Sequence, residues 1–189
     1  DLPLIHDLSD MDIQWVILSS LQEKIGREVA IPADRVVTPV AGEAITTGPL
    51  KLLPFESLHM RDGKGVPETG YLVQYKDKRW LFPGDIRKYD YQQLPSFGRL
   101  DAVVAHLWLG KAHAMDDFPP LMAEFGDFFT NFETERLIIT HLNEFGRDEN
   151  DLWRESHFDQ VKAEILLRKP DMRIGKALMG DRIDLDLTR

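Results

Sequence analysis

Three apolar runs in this chain stop on residues that bind metal ions. Residues 50–59 end in Ser57-Leu58-His59, Arg79-Trp80-Leu81-Phe82 leads into Pro83-Gly84-Asp85, and Leu137-Ile138-Ile139-Thr140 is followed by His141. Apolar runs this short, bounded by turn formers, read as strands. Side chains at strand ends converge on one edge of a sheet, where open α/β folds hold their chemistry. His, Asp and His suit zinc, manganese or iron. The chain is therefore expected to be α/β, with a metal site at a sheet edge.

Strand and helix signals alternate along the chain without an internal repeat. Trp15-Val16-Ile17-Leu18 reads as a buried strand, followed by Ser20-Leu21-Gln22-Glu23, an S-x-x-E capping box opening a helix. Pro54 within residues 50–59 predicts an edge or bulged strand, and the Gly- and Pro-bearing loop 61–68 follows His59. Tyr71-Leu72-Val73-Gln74-Tyr75 and Arg79-Trp80-Leu81-Phe82 flank a short polar link, as in a hairpin. Residues 100–106 form a further strand ending on His106. Leu121, Met122, Phe125, Phe128, Phe129 and Phe132 recur at helical spacing within 118–132. Asn150 and Asp151 offer caps for a helix reaching residue 168, ahead of Pro170. Met172-Arg173-Ile174 and Arg182-Ile183-Asp184-Leu185 predict two closing strands. The sum is about eight strands and three helices with much antiparallel pairing.

Composition removes several classes of function. The 189 residues suit one domain, 1–189, and 43% hydrophobic content supports a packed core. The net charge of −9 argues against a nucleic-acid surface, which needs clustered Lys and Arg. With no cysteine there is neither a disulfide nor a thiolate metal site, which fits a reducing cytoplasm. Apolar runs are far too short to span a bilayer. No G-x-S-x-G elbow, P-loop or G-x-G-x-x-G occurs.

The order of segments is more specific than any one of them. A strand ending in His59 is followed by the hairpin, by Phe82-Pro83-Gly84-Asp85, by the strand Asp101-Ala102-Val103-Val104, by a helix, and by Leu137-Ile138-Ile139-Thr140-His141. This succession resembles the metallo-β-lactamase-fold hydrolases. The resemblance implies an αββα sandwich, of which this chain would be mainly the C-terminal half. It also implies that His59, Asp85 and His141 are ligands for one or two divalent ions, zinc above all, with manganese or iron as alternatives. The function implied is hydrolysis of a small-molecule substrate by water activated at those metals. The HxHxDH segment that such enzymes carry is absent, and His6-Asp7-Leu8-Ser9-Asp10 cannot replace it.

That absence shapes the remaining expectations. The domain is expected to be incomplete, since the chain opens on Asp1 and not Met. Its Phe- and Leu-rich sheet face should then be covered by the missing segment or another subunit, predicting a homo-oligomer. A degenerate relative acting as a scaffold is the alternative function, and an unrelated α/β binding module whose three residues never meet is a third. Each residue also has a plainer reading: His59 as a loop histidine, Asp85 as a turn residue. His106 is a candidate for substrate binding or proton transfer, or a histidine bonded to backbone. His113 lies in a loop that would overhang the site, and Glu144 and Arg147 are placed to steady His141 or to form a surface ion pair.

Overall fold

The computed structural model describes residues 2–60, 65–107 and 122–185. His113, Leu121 and the loop 110–117 lie outside the described residues, as does much of the loop 61–68. The described elements are α1 (Leu2–Leu8), β1 (Trp15–Val16), α2 (Ser19–Glu28), β2 (Val36–Val37), β3 (Ile45–Thr47), β4 (Leu50–Glu56), β5 (Thr69–Tyr75), β6 (Lys78–Phe82), β7 (Ala102–His106), α3 (Met122–Thr130), β8 (Arg136–Thr140), α4 (Phe158–Leu166) and β9 (Arg173–Lys176). β1 and β2 pair in parallel. The other seven strands form one mixed sheet in chain order from β3 to β9.

Register explains both faces of that sheet. β3 to β6 pair antiparallel, and β6 to β9 pair parallel. Alternate residues point to opposite faces. Leu72, Leu81, Val103, Ala105, Leu137 and Ile139 point into the main core, while Trp80, Ala102, Val104 and Ile138 form a smaller cluster. The main core is closed by α3, which buries Met122, Phe125, Phe128 and Phe129, and by α4, which buries Val161 and Ile165. The Phe- and Leu-rich face is thus covered by this chain's own helices, contrary to the open face expected. A fully buried Phe contributes about 1.5–3 kcal/mol, so the phenylalanines of α3 hold this layer down.

Other local expectations meet stronger competitors. α2 begins at Ser19 with Leu18 at its N-cap and no side-chain cap, so the Ser20 capping box does not form. Glu23 pairs instead with Arg27 one turn on. β4 is not an edge strand, yet its pairing with β3 stops at Leu52. Pro54 therefore lacks its N–H where no ladder partner asks for it, and its carbonyl accepts from Gly42. The hairpin forms with Tyr75 opposite Lys78 around a two-residue turn, with Lys76 at φ 54°. Asn150 and Asp151 do not cap the late helix: a 3-10 turn at Glu155–His157 leads into α4. Residues 182–185 form no strand. Ile183 and Leu185 pack on the smaller cluster instead, and the Asp184 carbonyl accepts from Arg136.

Strand directions decide where chemistry can collect. β4, β6, β7 and β8 run the same way, and β5 runs against them. The C-terminal ends of those four and the N-terminal end of β5 meet along one edge. His59, Asp85, His106, His141 and Glu68 all follow or precede a strand at that edge.

Candidate metal centre

Each ligand candidate is set by a buried neighbour. Ile86 after Asp85 and Leu107 after His106 are 0% exposed, and Leu142 after His141 is 6% exposed. A polar side chain flanked by an anchored apolar one is held at the mouth of the sheet. The β7–β8 register puts His106 opposite Thr140, and the Leu107 N–H donates to the Thr140 carbonyl at 3.1 Å. His141 then turns with φ 65°, a left-handed conformation that His adopts more readily than most residues. Its ring comes to lie over that of His106, centroids 4.7 Å apart at 25°.

Three side chains converge. His106 Nδ1 lies 2.8 Å from Asp85 Oδ1, and His141 Nε2 lies 3.4 Å from the same oxygen. One donor atom from each of Asp85, His106 and His141 lies within 4.8 Å of the others. Asp85 and His141 therefore meet, against the reading in which the residues stay apart, and His106 joins them. His59 is not a member of this group. Its Nε2 accepts from Arg87 Nε at 3.2 Å, and its Nδ1 lies 3.0 Å from the Val66 carbonyl.

Electrostatics favours the forms a cation needs. Burial opposes the charge on Asp85. The His106 hydrogen bond and the fields of His141, His106 and His59 outweigh it and hold its pKa below the ordinary value. Burial and the nearby His106 lower the pKa of His141, against the pull of Asp85. An ionised carboxylate beside a neutral imidazole is the protonation state that metal ligation requires. Two His and one carboxylate fit zinc with an open position, or non-haem iron.

These shifts set a pH dependence. His141 titrates at 6.5 when unperturbed and lower in the folded chain, so on acidification the unfolded chain binds the proton first. Its contribution to stability is complete above about pH 6.5 and is lost as pH falls toward the folded value. Asp85 adds a second loss below 3.8, its unperturbed value. In metal-free protein, His141→Gln should flatten the fall in urea midpoint between about pH 7.5 and 5.5. An unchanged slope would contradict this assignment.

Glu68, which the sequence reading passed over, supports the site from behind. Its two carboxylate oxygens accept from the Asp85 N–H at 3.2 and 3.0 Å. Its main-chain carbonyl accepts from the Ser57 N–H at 2.9 Å, and Ser57 Oγ donates to the Pro83 carbonyl at 2.6 Å. Burial raises the pKa of Glu68, with Asp85's charge adding to the rise against the hydrogen bond from its N–H. Glu68→Ala should weaken metal uptake by about 10–100-fold, as loss of a ligand's supporting partner does. Glu68→Gln, which keeps an acceptor oxygen, should lose less in the same equilibrium dialysis. On the other side, Glu144 Oε2 lies 3.8 Å from His141 Nδ1 and accepts from Arg147 Nε at 2.7 Å. Arg147 also reaches Asp151 at 3.4 Å.

No family model and no curated protein matches the sequence. Solved structures do. A Parabacteroides distasonis protein named as a metal-dependent hydrolase superposes with a TM-score of 0.61 at 12% identity, over 93% of this chain and 69% of its own. YhfI of Bacillus subtilis, a metallo-β-lactamase fold protein, gives 0.54 at 14% identity over 75% of this chain.

This is the metallo-β-lactamase fold.

CmlA of Streptomyces venezuelae, a diiron β-hydroxylase, gives a TM-score of 0.50 at 15% identity over 82% of this chain. The chain spans about half of YhfI and a third of CmlA, 51% and 35%. The likeness to these structures accounts for the mixed sheet and its covering helices. Fold alone does not fix a reaction.

Proposed function

We propose that this chain carries the divalent-metal centre, or one side of it, of a metal-dependent hydrolase acting on a small-molecule substrate, with Asp85, His106 and His141 as ligands. The observation that supports this reading is the convergence of those three residues from the ends of three adjacent parallel strands. Among the metals, zinc suits the set first, and iron or manganese also fit. A bound divalent ion supplies Lewis acidity and lowers the pKa of water.

The protein's own groups do the rest. Asp85 brings the anionic ligand, and His141 is kept neutral by burial. Glu144 lies 3.8 Å from the far nitrogen of His141, beyond hydrogen-bond distance, and acts on the ring through its charge. Glu68 fixes the Asp85 main chain. Among the described residues no helix is long and apolar enough to cross a membrane, and we take the site of action to be the cytoplasm.

The test is metal analysis after mild purification, with His141→Ala as comparison. Zinc, iron or manganese near one ion per chain, lost in the variant, supports the reading. Equal, near-zero metal in both would sink it and favour the scaffold alternative. Metal-dependent turnover of p-nitrophenyl acetate, bis-p-nitrophenyl phosphate or nitrocefin then assigns the bond class.

A further inference from the structure

We propose that the Arg87 guanidinium takes the place of a second cation beside His59, so that this edge holds one metal ion and not two. The inference rests on the metal reading of Asp85, His106 and His141 and adds the occupancy of the neighbouring position. His59 leaves β4 at the same edge and is buried, 8% exposed. Its Nε2 lone pair is engaged by Arg87 Nε at 3.2 Å. A lone pair that accepts from a guanidinium is not free to ligate, because both bonds use the same orbital.

The other side of the ring is held by one residue. Nδ1 lies 3.0 Å from the Val66 carbonyl oxygen and 3.3 Å from the Val66 backbone nitrogen, so Val66 fixes the ring on the side away from Arg87. Arg87 is also fixed through its backbone, whose N–H donates to the Leu58 carbonyl at 2.9 Å, with Lys88 N–H on the same oxygen at 3.0 Å. Buried Ile86 pins the chain one residue earlier. Arginine does not deprotonate in proteins, so a permanent positive charge lies next to the residue that would otherwise bind a second metal.

The test is cobalt uptake by equilibrium dialysis, counted by mass spectrometry of the metal, with the ligand-field spectrum as a second readout. The expected wild-type value is about one equivalent. His59→Ala should bind with an affinity within about twofold of wild type, and His141→Ala should lose more than about a hundredfold. Arg87→Lys, which keeps the charge, should stay at one equivalent. Arg87→Ala should gain a second, and His59→Ala in that background should remove it again. Two equivalents in the wild type, one of them lost in His59→Ala, would overturn the proposal and leave the metal reading standing. So would Arg87→Ala that keeps the native circular dichroism and stays at one. No uptake by any variant would overturn the metal reading itself, and this inference with it.

Discussion

Asp85→Ala is expected to abolish divalent-metal uptake, with affinity falling by well over a hundredfold. Loss of a supporting partner alone costs about 10–100-fold, and Asp85 is the one anionic member of the three-residue group. It is also the residue on which the other two converge, since His106 and His141 both approach the same Oδ1. Asp85→Asn separates charge from shape. It keeps an acceptor for His106 and the turn after Gly84, so urea stability of the metal-free protein should stay within about 1 kcal/mol of wild type. Its metal affinity should nevertheless collapse with that of Asp85→Ala. Equal uptake by Asp85→Asn and wild type, by isothermal titration with zinc, would show that the carboxylate is not a ligand.

The sequence made part of this centre readable, for reasons that can be located. Asp85 and His141 stand where apolar runs stop, and strand ends at one edge follow from parallel order. His106 carried the same mark, but its strand end offered no way to tell ligation from a backbone bond. Only the β7–β8 register, with His106 opposite Thr140, brings its ring against His141. His59 had the same signature and the opposite surroundings, because its partner Arg87 lies 28 residues away and the contact depends on two loops folding together. Glu68 is a similar case. It sits at the start of an antiparallel strand, and the beginning of such a strand shares an edge with the ends of its neighbours. That signal lies in topology and not in local composition. The same limit explains the capping box at Ser20 and the strand at 182–185: both motifs were present, and tertiary packing used the residues otherwise.

Gly84 ties the backbone to the site strongly enough to be tested by its own substitution. It has φ +79°, and a Cβ there would come within 2.6 Å of Glu68 Oε1. Gly42 has φ +84° with nothing within 4 Å of the same construction. Gly42→Ala therefore measures the backbone cost alone, of order 1–3 kcal/mol for a left-handed position. Gly84→Ala should cost that and more, because the new methyl pushes the Glu68 carboxylate off the Asp85 N–H. Hydrogen bonds to charged groups contribute about 1.5–3 kcal/mol, so an excess of about 2 kcal/mol over Gly42→Ala is expected. In a Glu68→Ala background the obstacle is gone, and Gly84→Ala should cost no more than Gly42→Ala does. This non-additivity, read from urea midpoints in a double-mutant cycle, distinguishes a contact from a general intolerance of the loop. Metal affinity should follow the same cycle, since the displaced group holds Asp85. Strict additivity of Gly84→Ala and Glu68→Ala in both measurements would mean that Glu68 does not position Asp85.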